Sequence, residues 1–291
     1  MLRALARLGL EALRRRCTLL EALNALTPTD THRRLDHLAY GEHPRQVMDL
    51  YLPLGTAPAG AWPVLLFLYG GSWQSGEREE YRFLGEALAA CGILAAVADY
   101  RLYPEVRFPG FLEDSAAALA WLRAEAPRHG GDASRLFVAG HSAGAFNAAM
   151  LALDARWLAA HGLTPATLAG WVGIAGPYDF RPLLDRALMA IFNPPDDPET
   201  TPADTQPIFY ANAAAPPALL VAAHEDHVVY PGVNTGGMAQ RLRALRVPVT
   251  ERYYRHANHY TVVGAFAGVL RPLAPVLDDV CTFVARAGLA E

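Results

Sequence analysis

The chain has 291 residues, 52% of them hydrophobic and 19% charged, which leaves ample apolar surface to bury and too little charge for a disordered chain. A formal net charge of −4 gives a polyanion no electrostatic footprint, so nucleic acid is not an expected partner. All 25 basic residues are arginines. Without a lysine there is no Schiff-base or pyridoxal lysine, no phosphate-loop lysine and no Ser-x-x-Lys nucleophile.

In chain order, Leu2, Leu5, Leu8, Leu13, Leu19, Leu20 and Leu23 recur at near-helical spacing opposite Arg3, Arg7 and Arg14 to Arg16. This pattern predicts an amphipathic helical segment over residues 1–36, packed on its own domain. The arginines break any signal-peptide core, and no run reaches the ~18 uncharged apolar residues of a membrane span. A basic amphipathic helix can also lie on a membrane surface, but packing on its own domain is the favoured reading, and the cytoplasm is the expected compartment.

Residues 37–291 read as one domain. Apolar, β-rich runs predict strands at Val47–Leu52, Val64–Tyr69, Ile93–Asp99, Leu136–Ala139, Trp171–Ala175, Ala218–Ala223 and Val249–Tyr254. Helical patterns lie between them at Arg78–Ala90, Leu112–Ala126, Ala143–Asp154 and Thr235–Arg246, and again from Val262 onward. Strands alternating with helices predict an α/β fold, a mostly parallel sheet covered on both faces. Ligands of such sheets sit beyond the carboxyl ends of the strands. Residues 179–217, rich in proline and acidic side chains, read as a small lid-like insertion. The cysteines Cys17, Cys91 and Cys281 are odd in number and widely spaced, so reduced, buried thiols are expected and no thiolate metal site.

The most informative motif is Gly140-His141-Ser142-Ala143-Gly144, between an apolar run and an Ala-rich helical pattern. Strand, tight turn and helix are the context in which a Gly-x-Ser-x-Gly serine is presented on an elbow, with a helix N-terminus behind it. A serine nucleophile needs a base, and the base an orienting group. Asp226 follows the run Ala218–Ala223, with Glu225 as its competitor. His259 follows Val249–Tyr254, with His256 as its competitor; Tyr260 and Thr261 after His259 begin the next helix. Backbone donors for a developing oxyanion are expected from Gly71, Ser72 and Ala143, since Tyr69-Gly70-Gly71-Ser72-Trp73 directly follows the apolar run Val64–Leu68. Gly70, Trp73 and His141 are candidate substrate-binding residues.

Together with Asp49-Leu50-Tyr51-Leu52-Pro53 and Asp99-Tyr100-Arg101-Leu102, these segments resemble the α/β-hydrolase superfamily. Within it they resemble the esterase group with a His-Gly-Gly motif, which includes hormone-sensitive-lipase-like carboxylesterases and kynurenine formamidase-like enzymes. The resemblance spans roughly residues 47–262. It implies an α/β-hydrolase fold, Ser142 as nucleophile, Asp226 as acid, His259 as base and a Gly70–Ser72 oxyanion loop. The chain departs from the pattern at Tyr69, where the family usually has histidine. The expected activity is that of a serine carboxylesterase of short- to medium-chain esters that needs no cofactor or metal, with an arylformamidase as the alternative on the same triad. Its partner is a small-molecule ester, and a homodimer is allowed by the sequence. A metallohydrolase built on His224-x-x-His227 and His256-x-x-His259 is a remote rival, because these pairs lack the helical His-Glu-x-x-His arrangement. A non-catalytic binding protein on the same fold is the other.

Overall fold

The computed structural model describes residues 19–57 and 60–287. Most of the predicted N-terminal segment, with Cys17, lies outside them; within it, residues 19–25 are helical. Eight strands form one sheet: β1 (His32–Ala39), β2 (Val47–Pro53), β3 (Trp62–Leu68), β4 (Leu94–Ala98), β5 (Gly131–His141), β6 (Leu168–Ile174), β7 (Ala218–Ala223) and β8 (Val249–Tyr254). Their order is β1-β2-β4-β3-β5-β6-β7-β8. The pairs β1/β2 and β2/β4 are antiparallel, and every pair from β4 to β8 is parallel. The main helices are α1 (Arg82–Ala90), α2 (Gly110–Glu125), α3 (Ala143–Leu153), α4 (Arg186–Phe192), α5 (Gly237–Ala244) and α6 (Val276–Arg286).

The strand assignments hold for β2 to β8; the residues of β2 to β7 are the Val-, Leu- and Ala-rich runs a doubly covered sheet requires, while β8 is a half-exposed edge strand. β1 was not expected. Its burial alternates irregularly and it carries Arg33, Arg34 and Asp36, as suits an edge strand with one polar face. It starts at His32, so the sheet begins inside the segment read as a separate N-terminal helix. Helix α4 was not expected either; it lies in the 179–217 insertion, capped by Asp185, whose Oδ1 accepts from the N–H groups of Ala187 and Leu188. Cys91 is exposed and Cys281 half-buried, which corrects the expectation of buried thiols: Cys91 stands just past the last turn of α1, where the chain reaches the surface.

The chain leaves β3 for β4 on one side and returns to β5 on the other. The carboxyl ends of β3 and β5 therefore flank the topological switch point, where an open α/β sheet leaves a crevice. The Gly70–Trp73 loop follows β3, and Ser142 follows β5. All eleven residues of α3 are buried. Its approach is so close that a Cβ on Gly144 would stand 2.0 Å from Leu68 O, which only glycine permits.

Candidate active site

Ser142 occupies the sharp turn between β5 and α3 at φ 52°, ψ −119°, a conformation costly for any residue with a Cβ. The turn lifts its hydroxyl clear of the sheet. Two loops at the carboxyl ends of β7 and β8 complete a relay. His259 Nδ1–H donates to Asp226 Oδ2 at 2.7 Å, which leaves Nε2 to accept from Ser142 Oγ at 3.0 Å. The other oxygen, Asp226 Oδ1, accepts from the N–H groups of Val228 at 2.8 Å and Val229 at 2.9 Å. Burial pushes the Asp226 carboxyl up, but the hydrogen bond and charge of His259 and these two N–H groups outweigh it and hold the group below the usual carboxylate range.

The structure places the sequence competitors differently. Asp226 is buried while Glu225 is exposed, and His259 is buried while His256 is exposed. His259 spends both ring nitrogens on Ser142 and Asp226, leaving none for the His256-x-x-His259 metal pair.

A cavity of about 500 Å³ opens over Ser142, walled by Ser72, Trp73, Ala143, Phe180, Leu188 and Val229 among others. Of its three charged lining residues, Asp179 and Arg181 pair with each other at 3.0 Å and Asp185 is engaged in capping α4. Ser72 and Ala143, two of the three expected oxyanion donors, stand in the wall beside Ser142. Ala143 opens α3, where first-turn N–H groups have no intrahelical partner. Gly71 lies behind them at φ 144°, and a Cβ there would meet Ser75 O at 1.9 Å; this glycine lets the loop turn. Ser72 and Trp73 follow it at φ 54° and 57°.

Two of the residues read as substrate-binding, His141 and Gly70, stand outside the lining of this cavity. His141, the last residue of β5, turns its ring away from the cavity, because the elbow that presents Ser142 on one side sends its predecessor to the other. Gly70 packs against that ring rather than lining the cavity. Trp73 does line it, but is also buried among Phe111, Phe146, Phe180 and Phe192, and its Nε1–H donates to Asn147 Oδ1 at 3.0 Å.

Tyr69 answers the departure at the histidine position. Its buried hydroxyl donates to Asp99 Oδ1 at 2.8 Å and accepts from Arg45 Nη2 at 2.7 Å. The same Arg45 nitrogen donates to Gly76 O at 2.8 Å, so the phenol ties down the far end of the glycine loop. Burial, then the charge of Asp99, raise the Tyr69 hydroxyl well above its ordinary value, so it keeps its proton and remains a donor. Arg45, Asn147 and Asn234 escaped the sequence reading. Asn234 Oδ1 accepts from the N–H groups of Tyr178 and Asp179, fixing the start of the insertion from 55 residues away, and no local pattern signals such a role.

Comparison with known proteins decides the family. The BD-FAE family model matches residues 48–235, more than half of the chain. The chain belongs to the BD-FAE family. The BD-FAE match covers Ser142 and Asp226 and stops before His259. Esterase LipC of Mycobacterium tuberculosis is 33% identical over 234 residues, which are 74% of this chain and 57% of that protein. A probable isoprenylcysteine alpha-carbonyl methylesterase, ICMEL1 of Oryza sativa subsp. japonica, is 35% identical over 153 residues, 51% of this chain and 36% of that one. The chain thus spans less than two thirds of the length of either relative. Among solved structures, a bacterial heroin esterase superposes with a TM-score of 0.71 at 27% identity, covering 94% of this chain and 90% of its own. A phosphonate-inhibited esterase B from Lactobacillus rhamnosis reaches 0.78 at 19% identity, over 98% and 94% of the two chains; that likeness is one of fold. The fold is that of the α/β-hydrolase esterases. Among the described residues no helix is long and apolar enough to cross a membrane.

Proposed function

We propose that the protein is a serine carboxylesterase acting on short- to medium-chain, uncharged carboxylic esters. The observation that carries this reading is the continuous relay Asp226–His259–Ser142 at 2.7 and 3.0 Å, opening into an apolar cavity. Ser142 Oγ attacks the ester carbonyl as His259 Nε2 takes its proton. Asp226 holds the imidazole in the Nδ1–H tautomer and stabilises the cation that forms. The N–H groups of Ala143 and Ser72, with Gly71 shaping their loop, receive the oxyanion. Collapse of the tetrahedral intermediate expels the alcohol, which takes the proton from His259. Water, deprotonated by His259, then attacks the acyl-enzyme and releases the acid. No step calls for a metal or organic cofactor.

The relatives' names support ester over formamide, since LipC, the rice protein and both solved structures are named as esterases. The test is hydrolysis of p-nitrophenyl acetate through palmitate by wild type and Ser142→Ala, with N-formylkynurenine in parallel and labelling by a fluorophosphonate. Fast turnover of the shorter esters and labelling, both abolished in Ser142→Ala, are expected. Preference for the formamide would move the enzyme to the amidase reading, and full activity in Ser142→Ala would remove the serine.

A further inference from the structure

We propose that His141 is a positioning residue that fixes the backbone of the catalytic histidine, a role that rests on the serine-hydrolase reading above. His141 is 1% exposed, and its Nε2 lies 2.8 Å from the carbonyl oxygen of His259. A carbonyl only accepts, so the proton of His141 sits on Nε2 and the bond is an N–H donation across 118 residues of sequence. The two imidazole rings lie 5.0 Å apart, tilted by 46°.

This bond supplies something the triad does not contain. The side chain of His259 is oriented by Asp226, but its reach to Ser142 also depends on where the loop after β8 places its Cα. On the far side of that loop, Asn258 Oδ1 accepts from the N–H groups of Tyr260 and Thr261, which sets the turn into the next helical residues but leaves the loop's distance from β5 unfixed. The His141 bond fixes that distance. It joins the residue before Ser142 directly to the main chain of His259, so nucleophile and base are referenced to the same end of β5.

The ring has a third neighbour. A Cβ on Gly70 would stand 3.0 Å from His141 Nδ1, so the oxyanion loop rests against the same imidazole. Three segments, carrying the nucleophile, the base and the glycine loop, therefore meet at one buried side chain that does not face the substrate. Leu19, Leu20 and Leu23 of the N-terminal helical residues close over it with Tyr81, Tyr260 and Val263, around a gap of about 20 Å³. That cover keeps the bond away from bulk water, where competition would weaken it.

The variants His141→Leu and His141→Gln test the role. Leucine fills a similar volume without a donor, whereas glutamine offers an amide N–H to the same carbonyl. Because a displacement of ~1 Å at a catalytic group costs on the order of 100-fold, His141→Leu is expected to lose about 10- to 100-fold in kcat, with KM for p-nitrophenyl butyrate changed less than about twofold. The rate of fluorophosphonate labelling at Ser142 should fall in parallel. His141→Gln should recover most of both. Melting temperatures of both variants are read alongside, so that an unfolded protein is not mistaken for a slow one. Equal losses in the two variants at equal stability, a change confined to KM, or an unaltered kcat in His141→Leu would overturn the proposal. Full activity in Ser142→Ala would instead overturn the serine-hydrolase reading, and the two failures are distinguishable.

Discussion

At Asp226 burial and hydrogen bonding pull in opposite directions, and the balance has consequences for both rate and stability. The carboxylate accepts from His259 and from two backbone N–H groups, so its charged form is favoured in the native protein over the unfolded chain. A carboxyl depressed in this way contributes stability that is present above its unfolded value, ~3.9, and lost as pH falls through the lower folded value. Urea denaturation of wild type and Asp226→Asn should therefore show a stability difference at pH 7 that narrows as pH is lowered below about 4; a constant difference would mean that the carboxylate's charge is not what the native state favours. Catalytically, the same substitution leaves an amide that can hold the wrong tautomer of His259, and a loss in kcat of ~10⁴-fold is expected. Tyr69→Phe probes the other end of the site. It removes the phenol from between Asp99 and Arg45, and a buried hydrogen bond to charged groups is worth about 1.5 to 3 kcal/mol. A loss in that range by urea denaturation, together with a lowered kcat, is expected if this hydroxyl anchors the glycine loop.

Among the elements, legibility tracked locality. Strands β2 to β7 appear in the sequence as largely apolar runs because both of their faces are covered, and Ser142 and Asp226 could be picked out because each stands just past such a run; β8, a half-exposed edge strand carrying Thr250, Glu251 and Arg252, shows only through Val249 and its paired tyrosines, and His259 follows it. β1 has a polar face and an irregular register with β2, so no period-2 signal survives in it. Helix α4 is hidden for a different reason: seven residues between proline-rich stretches are too short for a helical period. Its order comes from packing, with Phe192 meeting Trp73 at 4.7 Å and Phe180 at 5.2 Å between ring centroids. Through these rings the insertion is joined to the Gly70–Trp73 loop and, at Phe146, to α3. The insertion is thus a wall of the cavity, and Leu188 on α4 is the residue with which to measure it. Leu188→Trp should leave kcat/KM for the acetate within about twofold and lower that for the octanoate by roughly 10-fold or more, since each methylene denied burial forfeits ~0.8 kcal/mol. Equal effects on both esters would place the acyl chain elsewhere.

Over the whole molecule, a buried ionic cluster joins the antiparallel edge of the sheet to the crevice beside Ser142. Arg78 Nε donates to Asp49 Oδ1 at 2.9 Å on β2, and Nη1 to Asp99 Oδ2 at 2.6 Å just past β4. Its Nη2 reaches the ring of His37 on β1, and the Arg78 backbone N–H donates to Asp99 Oδ1 at 2.7 Å. That same Asp99 oxygen accepts from Tyr69, so the chain of contacts runs from the edge strand to the glycine loop. The arginine, Asp49 and Asp99 side chains are only 5%, 0% and 6% exposed. Sequence reading found the Asp49 and Asp99 segments as parts of a family pattern but not their shared cation, because Arg78 lies 29 residues from the first and 21 from the second. Replacing Arg78 by Leu would strand two carboxylates in a site that water does not reach, and breaking a buried pair from one side typically costs about 3 to 5 kcal/mol. The control is Arg128→Ala, which breaks an Arg128–Glu125 pair at 2.9 Å whose arginine is 75% exposed and which should cost less than about 1 kcal/mol. The two urea midpoints, compared at constant m, separate these cases. If Arg78→Leu proves no more costly than Arg128→Ala, the cluster is not what holds the antiparallel edge to the parallel core, and the anchoring of the glycine loop must rest on the contacts of the Tyr69 hydroxyl with Arg45 and Asp99.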